Sequence, residues 1–328
     1  MNQALRFSGK NKFSAGLLFA ALLLNIQLAQ TQSALVNDGV IQTITAKGER
    51  FQDFEMPAPD SFDRLILEVE GADGGWIEYT YKDRFNATRT QRVNAGEGAT
   101  VSAAYALGPV TIPEGALLRM IIGVRGQWAK YDLLSDGDFG AGGGGGTAIL
   151  LSTDQGASWH ILMVAGGGGG AGVRKQSGEI KFEAGRPASD SENGQGGGRF
   201  HTIAPGGKLG HGGHSAESAG GGGGADSDGE HSPGTLIYGN AGWKDHKLSG
   251  QPLGGLGGTE NLGRNGGFGF GGGGSGADGG GGGGGYSGGG AGMKGAGGGG
   301  GGSFINTTPL TPVNILKQEN GNTNNPGD

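Results

Sequence analysis

Cysteine is absent from all 328 residues. That excludes a disulfide framework, a thiolate metal site, a cysteine nucleophile and a lipidated N-terminal cysteine. A basic excess is also missing. Lys and Arg number 24 against 30 Asp and Glu, a net charge of −6 with the signs intermixed, which is not the footprint of a nucleic-acid-binding chain. Aromatic residues make up 7% and hydrophobic residues 34%, little for side chains to fill a core along the whole length. Proline is sparse at 11 residues, and no strict G-X-Y period occurs, so collagen is excluded. Beyond Ile26 no apolar run reaches the length of a membrane-spanning helix.

What the chain has instead is glycine, 81 residues of it. The distribution is uneven: residues 1–139 hold 14, and residues 140–328 hold the other 67. Average usage is near 7%. Three stretches precede the dense region or flank it. Arg6, Lys10 and Lys12 precede the apolar run Ala15–Ile26, with a small-residue context at Thr31-Gln32-Ser33 and Ala34 as the next option. This reads as a secretory signal peptide over residues 1–33, cut after Ser33 or Ala34; the competing reading is an uncleaved anchor. With the leader removed, the mature chain is expected to hold no membrane span and to be secreted or surface-associated.

Residues 34–139 read as β structure. Thr43–Thr45 opens the segment. Leu65, Leu67 and Val69 alternate with Ile66, Glu68 and Glu70, the period-two pattern of a strand with one buried face. Val101–Leu107 and Leu117–Val124 are further strand candidates, punctuated by Pro57, Pro59, Pro109 and Pro113. No window carries a 3.6-residue period. The expected class is all-β, a sandwich or jelly roll.

Residues 140–305 carry six runs of four or more glycines: 142–146, 166–170, 220–224, 271–274, 279–285 and 297–302. Between the first two lies a hairpin pattern over 147–165, with apolar arms Ala148–Leu151 and Trp159–Val164 around a turn-rich Ser152–Ser158. Aromatics recur beside the runs: Trp243, Phe268, Phe270, Tyr286 and Phe304. A flexible linker has no need of a hairpin between pentaglycines. Ordering each glycine costs roughly 1–2 kcal/mol, with no side chain to bury in return. Polyglycine helices of the polyproline-II type offer one solution, three residues to the turn. Packed side by side, they bond laterally. Each lateral N–H···O is worth about 0.5–1.5 kcal/mol net and each Cα–H···O about 0.5–1, so two or three contacts per glycine offset the entropy. Only glycine permits that approach, and Gly144, Gly168, Gly222, Gly272, Gly283 and Gly299, one inside each run, are the expected structural positions. The competing reading is a disordered glycine-rich linker.

Several motifs resemble chemistry. Asp138-Phe139-Gly140 spells a kinase DFG, but no V-A-I-K lysine and no H-R-D loop accompany it. G-x-G-x-x-G is automatic in polyglycine. Gly285–Gly289 fits G-x-S-x-G without the strand and helix of a nucleophile elbow. His211 and His214, with His201, His231, Asp226, Asp228 and Glu230 nearby, offer metal-ligand types, but no spacing matches a known cage; solvated loop residues are the better reading. His160 reads as a strand-face residue. Asn86-Ala87-Thr88 and Asn306-Thr307-Thr308 are glycosylation sequons. No catalytic, cofactor or metal site is expected. Trp76, Tyr79, Tyr81 and Arg84 form an aromatic and basic cluster suited to anchoring a partner, and cross-strand pairing in a hairpin gives the same pattern.

The order of these features resembles the glycine-rich ectodomain of the anaplastic lymphoma kinase and leukocyte tyrosine kinase receptors and similar bacterial glycine-rich proteins. The pieces are Phe51–Pro57 (FQDFEMP), Leu65–Gly75 (LILEVEGADGG), Leu118–Gln127 (LRMIIGVRGQ), residues 142–172, Gly266–Phe270 (GGFGF), Gly281–Gly288 (GGGGGYSG) and Gly301–Ile305 (GGSFI), spread over residues 40–306. The resemblance implies a tumour-necrosis-factor-like β-sandwich or jelly roll with an inserted bundle of polyglycine helices, and a return strand at 301–305. It also implies an extracellular protein ligand; for this chain the expected partner is an extracellular protein or glycan. The chain lacks the receptors' cysteines, EGF-like segment and kinase domain, and residues 306–328 read as a polar tail rather than a membrane helix. The function expected is a secreted, non-enzymatic binding or adhesion module. The alternative is a glycine-rich matrix or surface-coat protein, against which the lack of a fixed repeat counts.

Overall fold

The structure is a computed structural model and describes residues 3–8, 42–44, 51–56, 64–198, 203–232, 247–248, 251–259, 264–275, 279–307 and 314–321. The run Ala15–Ile26, the cleavage context, Trp243 and His201 lie outside these residues. Among the described residues there is no α-, 3₁₀- or π-helix. The strands in chain order are β1 Gln3–Ser8, β2 Gln42–Ile44, β3 Gln52–Glu55, β4 Arg64–Glu70, β5 Ile77–Lys82, β6 Thr88–Val93, β7 Thr100–Ala106, β8 Leu117–Ile121 and β9 Ala129–Asp132. There follow β10 Gly137–Gly140, β11 Thr147–Ser152, β12 His160–Ala165, β13 Gly172–Gln176, β14 Glu179–Glu183, β15 Lys247–Leu248, β16 Gln251–Pro252, β17 Phe304–Ile305 and β18 Asn314–Glu319.

Two five-stranded antiparallel sheets, ordered β18-β7-β4-β1-β2 and β17-β12-β11-β8-β3, face each other across one core. The alternation in β4 buries Leu65, Leu67 and Val69 on that side. They meet Val101 and Tyr105 of β7, Leu118 and Met120 of β8, Ile149 and Leu151 of β11, and Met163 of β12. The hairpin of β11 and β12 pairs Thr147 with Ala165, and β17 adds on by pairing Met163 with Ile305. A second body of two three-stranded sheets, β6-β5-β9 and β10-β13-β14, encloses Ile77, Tyr79, Val93, Leu133 and Val173.

The second five-stranded sheet is buried on both faces. Its outer side carries Ile121, Ala148, Leu150 and Val164, covered by Phe268, Phe270, Tyr286 and Phe304 from the glycine-rich region. That is why β11 reads TAILLS with no exposed position: two-sided burial removes the alternation.

Both ends of the chain join the sheet work. The polar 306–328 segment is not only a tail, since β18 pairs with β7. An edge strand needs backbone bonding more than apolar side chains, so the sequence pattern there is weak. Residues 3–8, within the stretch read as leader, form β1, with Leu5 opposite Leu67 and Phe7 opposite Leu65. Cutting after Ser33 or Ala34 removes this strand and leaves one edge of β4 open.

The glycine runs are buried and bonded to one another with a period of three. Gly280, Gly283 and Tyr286 donate to the carbonyls of Ala296, Gly299 and Gly302, at 2.8–3.0 Å. Gly281 and Gly284 donate to Ala141 and Gly144, and Gly282 and Gly285 to Gly220 and Gly223. Each segment therefore serves three neighbours in rotation. The same rotation holds in 141–146, where donors alternate among 171 and 168, 127 and 124, and 273 and 270. No glycine of the six runs has positive φ. A Cβ on Gly144 would overlap the carbonyl oxygen of Ala72, and one on Gly283 that of Gly167. Gly168, Gly222, Gly272 and Gly299 likewise face the carbonyls of Gly96, Gly283, Gly143 and Gln195.

Candidate functional site

The residues expected to anchor a partner separate along β5. Its pattern turns Ile77 and Tyr79 inward. Tyr79 is 1% exposed, and its hydroxyl donates to Gln91 Oε1 at 2.8 Å. Burial, then the neighbouring Tyr81, pushes the phenol up to about 12. Tyr79 is a core residue, not a contact residue: alternation within the strand decides which face a side chain takes. Tyr81 is half-buried against the same core. Arg84 sits beyond the far end of β5, its guanidinium 4.7 Å from the ring of exposed Phe85.

That hairpin tip is built by Asp83. Its carboxylate accepts from the Phe85 and Ala87 amides and from Arg89 Nε, at 2.8–2.9 Å. The Arg89 bond and then the Ala87 amide hold the acid below its ordinary range. Asn86, the sequon asparagine, takes φ 59 there and is exposed, a left-handed position asparagine tolerates.

Trp76 keeps a different company. It stacks on Trp128 at 4.7 Å and 7°, and the Arg92 guanidinium lies 4.1 Å from its ring centroid. Trp128 is 52% exposed. The register explains the gathering. β5 pairs antiparallel with β6 and parallel with β9, so Glu78 stands opposite both Arg92 and Lys130, and Thr80 opposite both Thr90 and Asp132. Paired residues share a face, and this one is opposite the inward face of Ile77 and Tyr79. Lys130 Nζ meets Glu78 Oε1 at 2.7 Å, and Thr80 Oγ1 donates to Asp132 Oδ1 at 3.1 Å. The result is a solvent-facing three-stranded surface, polar and mixed in charge, ending in a tryptophan stack. Trp128 and Arg92 were not legible as site residues. Trp128 follows Gly126 and Gln127 and precedes a short strand; only the parallel pairing of β5 with β9 brings it to Trp76.

The other candidates are absorbed by the fold. Asp138 pairs with Arg174 at 3.2 Å, Phe139 packs on Tyr131 at 4.5 Å, and the Gly140 backbone abuts Gly279. Ser287, in the G-x-S-x-G match, is fully buried and accepts from the Gly210 amide at 3.1 Å. His214 Nδ1 lies 3.1 Å from Glu230 Oε2, both exposed. Among the described residues no three His, Asp or Glu side chains gather as a metal-binding group. His160 opens β12 and is exposed. Arg119, which sequence reading passed over, is 5% exposed, forks onto both Asp53 oxygens at 2.7 Å and donates to the Pro252 carbonyl at 2.9 Å. The rings of Phe51 and Trp159 lie 4.0 and 4.2 Å from its guanidinium. It clamps β3 to β8 and is structural. Neither a protein-family model nor a curated protein sequence matches this chain.

Proposed function

We propose that the chain is a secreted, non-enzymatic binding or adhesion module, built as a tumour-necrosis-factor-like β-sandwich carrying an inserted bundle of polyglycine helices of the polyproline-II type. The threefold rotation of hydrogen-bond partners supports the helix type, and the ordered series of motifs shared with the receptor ectodomains supports the sandwich. The observation that carries the binding reading is the Trp76–Trp128 stack, whose outer ring, Trp128, is 52% exposed just before β9. Half-exposed aromatics on a fixed scaffold are what recognition surfaces use.

The matrix alternative draws less support. Assembly through polyglycine needs backbone groups open to other molecules, and the runs here bond theirs to one another and to the neighbouring segments. The test is to recover the protein from the medium of its producing cells, sequence its N-terminus, and titrate the labelled protein onto those cells. Processing near Ser33 and saturable binding are expected. Retention inside the cell, non-saturable binding, or filaments that grow with concentration would overturn the reading.

A further inference from the structure

The outer face of β6-β5-β9 has a chemistry more specific than its exposure. One indole, Trp128, offers a single flat apolar face about half open to solvent. Trp76 stacks behind it and Arg92 backs Trp76, so the ring is held before any ligand arrives and loses little freedom on binding. Beyond the ring the surface turns at once to donors and acceptors: Lys130 with Glu78, then Asp132.

Three ligand classes separate on this pattern. A protein partner favours a broad interface centre depleted of charge, and here charged side chains stand next to the single ring. A single-stranded nucleic acid needs a basic groove along its backbone, whereas the cation beside the ring, Lys130, is paired with Glu78. A pyranose chain fits: each sugar has one face of C–H groups about the size of an indole, and a rim of hydroxyls that donate and accept. The balance of Lys130 against Glu78 favours a ligand without charge of its own.

We infer that this face is a binding platform for a neutral polysaccharide, with one pyranose ring stacked on Trp128 and its hydroxyls bonded by Glu78, Lys130 and Asp132. The inference rests on the binding-module reading and names the ligand class for that site.

Affinity electrophoresis of the full chain tests it. The gels hold hydroxyethyl cellulose, laminarin or galactomannan as neutral probes, alginate as an anionic one, and none as a blank. Slower migration is expected in at least one neutral gel. Trp128→Ala should weaken that binding about tenfold or more, Trp128→Phe by less, and Phe85→Ala, at the distant hairpin tip, not at all. Thermal melts should show Trp128→Ala folded cooperatively and lowered by no more than a few degrees, the loss of one half-exposed stacking pair, and Phe85→Ala at the parent's value; tryptophan fluorescence should shift on adding the retarding polysaccharide. Unretarded migration in every neutral gel, retardation by alginate alone, or equal retardation of Trp128→Ala would overturn the platform. Saturable cell binding that vanishes on protease treatment of the cells would also overturn it while leaving the binding module standing. Absence of saturable cell binding would overturn the broader reading instead.

Discussion

At single positions, the same residue type carries opposite consequences. Gly283 is buried, and a methyl group there would run into the Gly167 carbonyl, a backbone atom with nowhere to go. Gly178 turns the β13–β14 hairpin at φ +80 with open space around it. Gly283→Ala should therefore cost about 3 kcal/mol or more, and Gly178→Ala about 1 kcal/mol from the left-handed backbone alone. Denaturant melts of the two variants check the ordering; equal losses would remove the packing argument. Arg119 supplies the charged counterpart. Asp53→Ala strands a buried guanidinium and should cost about 3–5 kcal/mol, read in the same melts. Tyr79 marks the limit of sequence reading at this scale. Its neighbours Trp76 and Tyr81 share its chemistry, but strand phase, not residue type, buried it.

Among elements, the β11–β12 hairpin was legible because everything it needs is local: two apolar arms and a turn. Its turn is pinned by Asp154, which accepts from Ser158 Oγ at 2.6 Å, the Ser158 amide at 2.8 Å and Ser152 Oγ at 2.7 Å. The Ser158 hydroxyl first, its amide next and Ser152 after that hold the carboxyl down at about 2. A lowered acid stabilises the fold above its unfolded value and loses that contribution as pH falls through the folded one. The difference in melting temperature between the parent and Asp154→Ala should thus be full at pH 5 and above, and shrink between about pH 4 and pH 2. A difference independent of pH would mean that the carboxylate does not hold the turn. The β5–β9 pair was not legible. Its strands are distant in sequence and parallel, and nothing in β9's four residues announces a partner. The same holds for β18, whose apolar content is too low to show a pattern.

For the molecule as a whole, all-β character was readable from the absence of helical periodicity and the alternation in β4. The two-layer core was readable only in part, because one of its sheets draws β3 and β8 from the 34–139 segment and β11, β12 and β17 from the glycine-rich one. Phe268, Phe270, Tyr286 and Phe304 show why the aromatics recur: they cap the outer side of a sheet whose inner side faces the core. The glycine runs are thus tied to the sandwich by side chains and to each other by backbone bonds. Hydrogen exchange should find the amides of Gly144, Gly168, Gly281 and Gly283 among the slowest in the protein, opening only with global unfolding. Exchange of these amides at the rate of a free chain would restore the disordered-linker reading.

The threefold rotation of partners also constrains how such a protein can change in length. Losing one residue from within a run turns every later donor by a third of a revolution and presents it to the wrong neighbour. Losing three restores each donor to its own side, one turn closer to the end. Insertions follow the same rule. Over generations, a glycine run of this kind should drift in steps of three, so that each run is closer in what it can bond to one three residues longer than to one a single residue longer.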